Sequence, residues 1–216
     1  MLNRILTSLM CSACLIAAGC MDNDTGRGMN RSNDDMMKNA SSQRVDRDRV
    51  EQMITSWPQH SKMAAMEMMQ KYGPPNEATA THLMWWNNGP WKWTKVSSME
   101  IPHEFPMHHP DLLQQAVDYR VPPDMFEDLA MYDGSVICER TKGEISARCD
   151  KEGANFLALN LANEIVTGKR SVNDARTEYA RQIKAMMAKQ PAPLTERLMF
   201  QPMKGNSADP DRPAGM

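Results

Sequence analysis

His82-Leu83-Met84-Trp85-Trp86-Asn87-Asn88-Gly89-Pro90-Trp91-Lys92-Trp93-Thr94-Lys95 is the stretch whose reading decides the fold. Two runs rich in aromatic and apolar residues, 80–87 and 91–97, flank a turn cluster, and they are expected to pair as an antiparallel hairpin. Pro90 has no N–H with which to close a two-residue Asn-Gly turn, so a four-residue loop is expected. Either loop gives one register: Trp86 opposite Trp91, Met84 opposite Trp93 and His82 opposite Lys95. Strand alternation then puts Trp86, Trp91, Met84 and Trp93 on one face and Trp85 on the other.

Upstream, Val50, Met53, Ile54 and Trp57 recur at helical spacing. Pro58 suits a first turn, and Met63, Met66, Met69 and Tyr72 line one side of a second helix that Gly73, Pro74 and Pro75 stop. Downstream, helices are expected over Asp111–Asp118 and Pro123–Met131, separated by Val121-Pro122-Pro123. Ser135–Arg140 and Ile145–Cys149 read as a second hairpin. Ala154–Val166 is an apolar helix closed by Gly168. The last helix starts at Ser171 with a capping-box-like Asp174 and turns Val172, Ala175, Tyr179, Ile183 and Met186 inward. The fold class is therefore α+β, two antiparallel hairpins forming a small sheet packed with five or six helices over residues 46–189.

Both flanks have a different composition. Residues 21–45 are rich in Asp, Asn, Arg, Ser and Met, without periodicity or an aromatic residue, and read as a disordered tether. Residues 190–216 carry Pro191, Pro193, Pro202, Pro210 and Pro213 and read as a disordered tail, with Leu194, Leu198, Met199 and Phe200 as candidates for local docking.

Residues 1–19 have the form of a signal peptide. Arg4 is the only charged residue before Cys20, and residues 5–18 are apolar or small, short of the roughly 20 needed to span a bilayer. Leu15-Ile16-Ala17-Ala18-Gly19-Cys20 resembles the lipobox of bacterial lipoproteins, with Ala17 where that family prefers leucine. The resemblance implies cleavage before Cys20 and a thioether-linked diacylglycerol on it, with an N-acyl chain in many bacteria. A single acyl chain binds a membrane only marginally, so two or three are needed for firm anchoring. Met21, rather than aspartate, follows Cys20, which favours the outer membrane, facing the periplasm.

Removing residues 1–19 takes away only Arg4 among charged groups and leaves 24 Lys+Arg against 27 Asp+Glu, a formal charge of −3. That balance offers no electrostatic footprint for nucleic acid. Of five cysteines, cleavage and acylation leave Cys138 and Cys149, a pair suited to a disulfide in an oxidising compartment. A type II′ turn at Gly143-Glu144 sets Cys138 directly opposite Cys149 and Glu139 across from Arg148. A type I′ turn at Lys142-Gly143 sets Cys138 opposite Ala147 and leaves the cysteines diagonal, with poorer disulfide geometry.

Two further clusters are candidate sites. Trp86, Trp91 and Trp93 could anchor an envelope protein or a cell-wall partner if their face is exposed, or form core if it is covered. His103, Glu104, Met107, His108, His109 and Asp111 crowd nine positions, and the 19 methionines left after removal of residues 1–19 invite a metal reading in which His103, His108 and His109 are the ligands. Against it, the histidine spacing matches no standard zinc or copper pattern, Pro106 and Pro110 place the cluster in a loop, and methionine at helical spacing is ordinary core filler. No phosphate loop, nucleophile elbow, H-E-x-x-H or EF-hand pattern occurs, so no catalytic residue is assigned and no cofactor beyond the acyl chains is expected. The order of helix, Tyr72-Gly73-Pro74-Pro75 and Trp-rich hairpin is similar to that of small envelope lipoproteins of the SmpA/OmlA type, which serve outer-membrane protein assembly. That likeness implies an interaction module. The leading expectation is a non-enzymatic, lipid-anchored envelope protein that binds a partner; the alternative is a periplasm-facing metal-handling protein.

Overall fold

In the computed structural model the described residues are 42–215 together with Met36 and Asn39; the expected signal peptide, Cys20 and nearly all of the tether lie outside them. The domain is α+β. Helices α1 (Arg47–Ile54) and α2 (Gln59–Tyr72) precede strands β1 (Glu77–Ala78), β2 (His82–Asn88), β3 (Trp91–His103) and β4 (His109–Asp118). A 3-10 turn at Pro123–Met125 leads into α3 (Phe126–Tyr132), followed by β5 (Val136–Glu139), β6 (Glu144–Cys149), α4 (Glu152–Val166) and α5 (Val172–Met187). The two expected hairpins belong to one six-stranded antiparallel sheet of order β1-β2-β3-β4-β6-β5.

Strand β4 is the main departure from the sequence reading, which expected a helix at Asp111–Asp118. Residues 111–117 are all buried, and β3 and β6 pair with the strand on either edge. A short run buried on both faces has no alternation to mark it as a strand, and the helix-favouring Leu, Gln and Ala side chains are overridden by tertiary pairing.

The first hairpin is shifted from its expected register. Asn88 pairs with Trp91 and Trp86 with Trp93, leaving Gly89-Pro90 as a two-residue turn. Pro90 sits inside that turn, where its missing N–H is not required; Asn87 and Gly89 supply the positive φ angles, 51° and 61°. Met84 therefore faces Lys95 and His82 faces Ser97. Trp85, expected to point away from the other tryptophans, is fully buried beside Leu83, Val96, Met68 and Met69.

Helix α2 also turns differently. Ala64, Ala65, Met68 and Met69 face the core, while Met63 and Met66 are exposed. The two alanines let the helix approach closely, Met68 and Met69 fill the core beside them, and Met63 and Met66 stay in solvent. In the last helix Ser171 accepts from the Asp174 N–H as expected, and Ala175, Tyr179 and Ile183 are buried.

The second hairpin closes with a four-residue loop, Arg140–Gly143, so that Cys138 faces Ile145 and Glu139 faces Glu144. Neither turn type expected from the sequence forms. The loop is fixed from outside: a Cβ on Gly143 would lie 2.2 Å from the backbone carbon of Ser207. The tail, expected to be disordered, docks on the domain. Asn160 donates to the carbonyls of Leu194 and Arg197 at 2.9 and 2.8 Å, Met203 N–H donates to Asp118 at 2.9 Å, and Arg120 donates to Ser207 and Ala208. Leu194, Leu198 and Phe200 pack on the core.

Glu152 ties the helical layer to the sheet. Its buried carboxylate accepts from Lys71 and from Tyr72 (2.5 Å) at the end of α2, from Trp91 Nε1 (2.6 Å) and from Gln115 Nε2 (3.2 Å). Burial alone would raise its pKa; the Lys71, Tyr72 and Trp91 hydrogen bonds outweigh burial and hold it below the usual carboxylate range. Its position in the first turn of α4 adds a favourable helix-dipole contact. A group whose folded pKa is depressed contributes stability above its unfolded pKa and loses that contribution as pH falls through the folded value. Glu152→Gln is therefore expected to cost about 2–3 kcal/mol at neutral pH. In denaturant titrations across pH, the gap to wild type should narrow as pH drops below about 4.3. A gap independent of pH would show that the charge of Glu152 is not what matters.

Candidate functional site

The indole N–H groups of the Trp-rich hairpin are all used internally. Trp85 donates to the Gly73 carbonyl (2.9 Å), Trp86 to Glu77 (2.6 Å), Trp91 to Glu152 (2.6 Å) and Trp93 to Glu144 (3.1 Å). Trp91 is buried and stacks on Phe156 with ring centroids 4.7 Å apart. Trp86 and Trp93 are half-buried. The common exposed face that would make Trp86, Trp91 and Trp93 a docking surface does not form, because Trp91 is buried against Phe156 of α4.

The loop between β3 and β4 gathers a second group. Sheet pairing sets His103 directly opposite His109, and Ile101 opposite Asp111. Phe105 anchors the loop: its ring lies 5.1 Å from Tyr179, and the Arg176 guanidinium sits 3.9 Å above it. One ligand atom each from His103, His109 and Asp111 lies within 4.8 Å of the others. Asp111 is the centre, with His103 Nδ1 at 3.3 Å and His109 Nε2 at 3.4 Å from one carboxylate oxygen and Arg148 Nε at 3.6 Å from the other. Arg148 Nε is buried and makes no hydrogen bond. The His103 ring continues to Asp133 at 3.7 Å, and Asp133 is itself held by the Ser135 N–H and hydroxyl at 2.8 and 2.7 Å. Cys149, at the end of β6, brings its Sγ to 3.3 Å from His109 Nε2.

Two of the three histidines expected as ligands thus converge. His108 does not: it is largely exposed and pairs with Glu104 at 2.8 Å. Of the methionines, Met63 and Met66 are exposed on α2, while Met107 and Met187 line a cleft next to His109. Asp111 had been assigned to a helix, and Asp133, Arg148 and Cys149 come from distant parts of the chain. The one local signal was His103 and His109 bracketing a five-residue return, which a hairpin converts into cross-strand neighbours.

Cys138 and Cys149 are free thiols. Cys138 pairs with Ile145, four positions along β6 from Cys149, a displacement of about 13 Å at 3.3 Å per residue, beyond disulfide reach. The expected disulfide is absent because the four-residue loop slides the strands past the register it needs. Burial pushes Cys138 up to about 11. Cys149 is also raised, by burial, which outweighs the contact with His109. For His109, burial favours the neutral ring, but Asp111, Cys149 and the Met107 carbonyl outweigh it and lift it to about 11. The expected Glu139–Arg148 pairing does not form; Glu139 pairs with Lys142 at 2.9 Å and Arg148 faces Asp111.

The geometry discriminates between two chemistries. A thiol nucleophile with a histidine base needs the cysteine on one ring nitrogen and the orienting carboxylate on the other. Here Asp111 and Cys149 share Nε2, while Nδ1 contacts the Met107 carbonyl at 2.8 Å. That arrangement does not relay a proton; it converges on a point. His109 and Cys149 also line a cleft of about 220 Å³ bounded by Pro106, Met107, Ile183 and Met187.

No family model, curated protein or solved structure matches the chain. Alkylation in denaturant without reductant, followed by peptide mapping, should modify both Cys138 and Cys149 fully. In the native protein Cys149 should react far more slowly than a free exposed thiol. Recovery of a linked Cys138–Cys149 peptide would overturn the register described for the second hairpin.

Proposed function

We propose that the chain is a lipid-anchored protein of the bacterial cell envelope, held by acyl chains on Cys20 and most consistent with the outer membrane, and that its domain binds rather than transforms its ligand. The lipobox-like Leu15–Cys20 supports the anchor. No helix among the described residues is long and apolar enough to cross a membrane, so in this reading the acyl chains supply the attachment. The observation that carries the binding role is the cleft beside the His103–His109–Asp111 cluster. It joins convergent polar groups to an apolar wall, the usual composition of a ligand site. Internal use of every hairpin indole moves the binding face from the Trp-rich hairpin to this cleft. Metal handling is the second reading, favoured by the convergence of His103 and His109 on Asp111.

The anchor is tested by Cys20→Ser in a bacterial host. The variant should lose incorporation of labelled palmitate and move from the membrane to the soluble fraction. Unchanged palmitate labelling or unchanged membrane association in the variant would contradict the lipoprotein reading.

A further inference from the structure

We propose that His103 Nδ1, His109 Nε2, Asp111 Oδ1 and Cys149 Sγ form a site for one divalent transition-metal ion of the zinc type. The proposal rests on reading the cleft as a binding site and names what enters it.

Four arguments support it. The first is the spacing. Ligands about 2.0–2.1 Å from a tetrahedral zinc stand about 3.3–3.4 Å apart. The contacts of Asp111 Oδ1 with His103 and His109 are 3.3 and 3.4 Å. Cys149 Sγ, 3.3 Å from His109 Nε2, approaches from the cleft and closes the shell as thiolate when its side chain turns inward; the Cys149 thiol proton and the His109 Nε2 proton both leave to solvent as the ion binds.

The second is ring orientation. Metal-bound histidines donate their other N–H to a carbonyl or carboxylate, which fixes the tautomer. His109 Nδ1 lies 2.8 Å from the Met107 carbonyl, leaving Nε2 for the centre. His103 Nε2 faces Asp133, leaving Nδ1 for the centre. Both rings are thus turned with one nitrogen outward to oxygen and the other inward.

The third is support for the carboxylate. Arg148 faces Asp111 Oδ2 and leaves Oδ1 directed at the two imidazoles. The fourth is rigidity, since the ligands come from the paired ends of β3, β4 and β6 and not from the tip of the loop. The mixed nitrogen, oxygen and sulfur set suits zinc, whereas Cu(I) favours an all-soft set of thiolate and thioether ligands.

The test uses the mature protein, stripped with a chelator, its fold checked by circular dichroism. Zinc titration by calorimetry should give one site. Cobalt(II) should give tetrahedral d–d absorption and a thiolate-to-cobalt charge-transfer band. Cys149→Ser should abolish the charge-transfer band while cobalt still binds. His109→Ala and Asp111→Asn should each weaken zinc binding about 100-fold, and His108→Ala should leave it unchanged. If the wild-type protein is folded and binds neither zinc nor cobalt stoichiometrically, the cluster is an ion-pair network and the proposal is overturned. Persistence of the charge-transfer band in Cys149→Ser, or a His108→Ala loss equal to that of His109→Ala, overturns the ligand set. The wild-type measurement needs no variant, so misfolding of a substituted protein does not blunt the test. Failure here leaves the anchor and the cleft as a binding site standing, whereas failure of the Cys20 experiment leaves the metal site untouched.

Discussion

Strand β4 is buried along residues 111–117, and three of those seven residues, Asp111, Gln114 and Gln115, are polar. A buried polar group without a partner costs about 1–3 kcal/mol, so each side chain dictates what is built around it. Gln114 donates to Ser146 at 2.9 Å. Gln115 donates to Thr94 and Glu152 and accepts from Asn155, joining β3, β4 and α4 in one network. Asp111, at the start of the strand, draws in His103, His109 and Arg148. The strand that centres the sheet therefore also sets its candidate site.

Two buried carboxylates, Glu152 and Asp111, show how differently such a group is satisfied. The partners of Glu152 are an ammonium, a phenol, an indole and an amide. These groups donate, and the indole and amide nitrogens have no lone pair to offer a cation. That environment is complete, and its role is to hold α2 and α4 to the sheet. Asp111 is surrounded by two imidazoles, with a thiol next to one of them. Imidazole and thiolate can both ligate a metal, and His109 and Cys149 line a cleft. The first carboxylate is architecture; the second belongs to a site.

Much of the α+β fold was legible in the sequence because its signals are local. The Ser171–Asp174 start, the Gly73-Pro74-Pro75 stop and the apolar run Ala154–Val166 each act over a few residues. Errors arose where a long-range partner decides. Asp111–Val117 reads as a helix until β3 and β6 are present on both sides. The turn falls at Gly89-Pro90, and Trp91 beside it is buried against Phe156, far downstream in α4. The loop before Glu144 depends on Ser207, more than sixty positions downstream. The candidate site was half legible: His103, His109 and Asp111 stood out as residue types, but Asp111 was set in a helix and Cys149 in an expected disulfide. His108, chosen by proximity in sequence, lies on the exposed side of the loop.

On the proposed reading, an acyl anchor gives this small domain its position near a membrane and the β4 cluster gives it a polar, thiol-bearing centre. The most direct test is X-ray absorption at the zinc edge on the mature protein carrying one equivalent of zinc. The account predicts one sulfur at about 2.3 Å, nitrogen and oxygen at about 2.0–2.1 Å, and outer-shell scattering from two imidazoles. A spectrum with six oxygen-type neighbours and neither sulfur nor imidazole would contradict it.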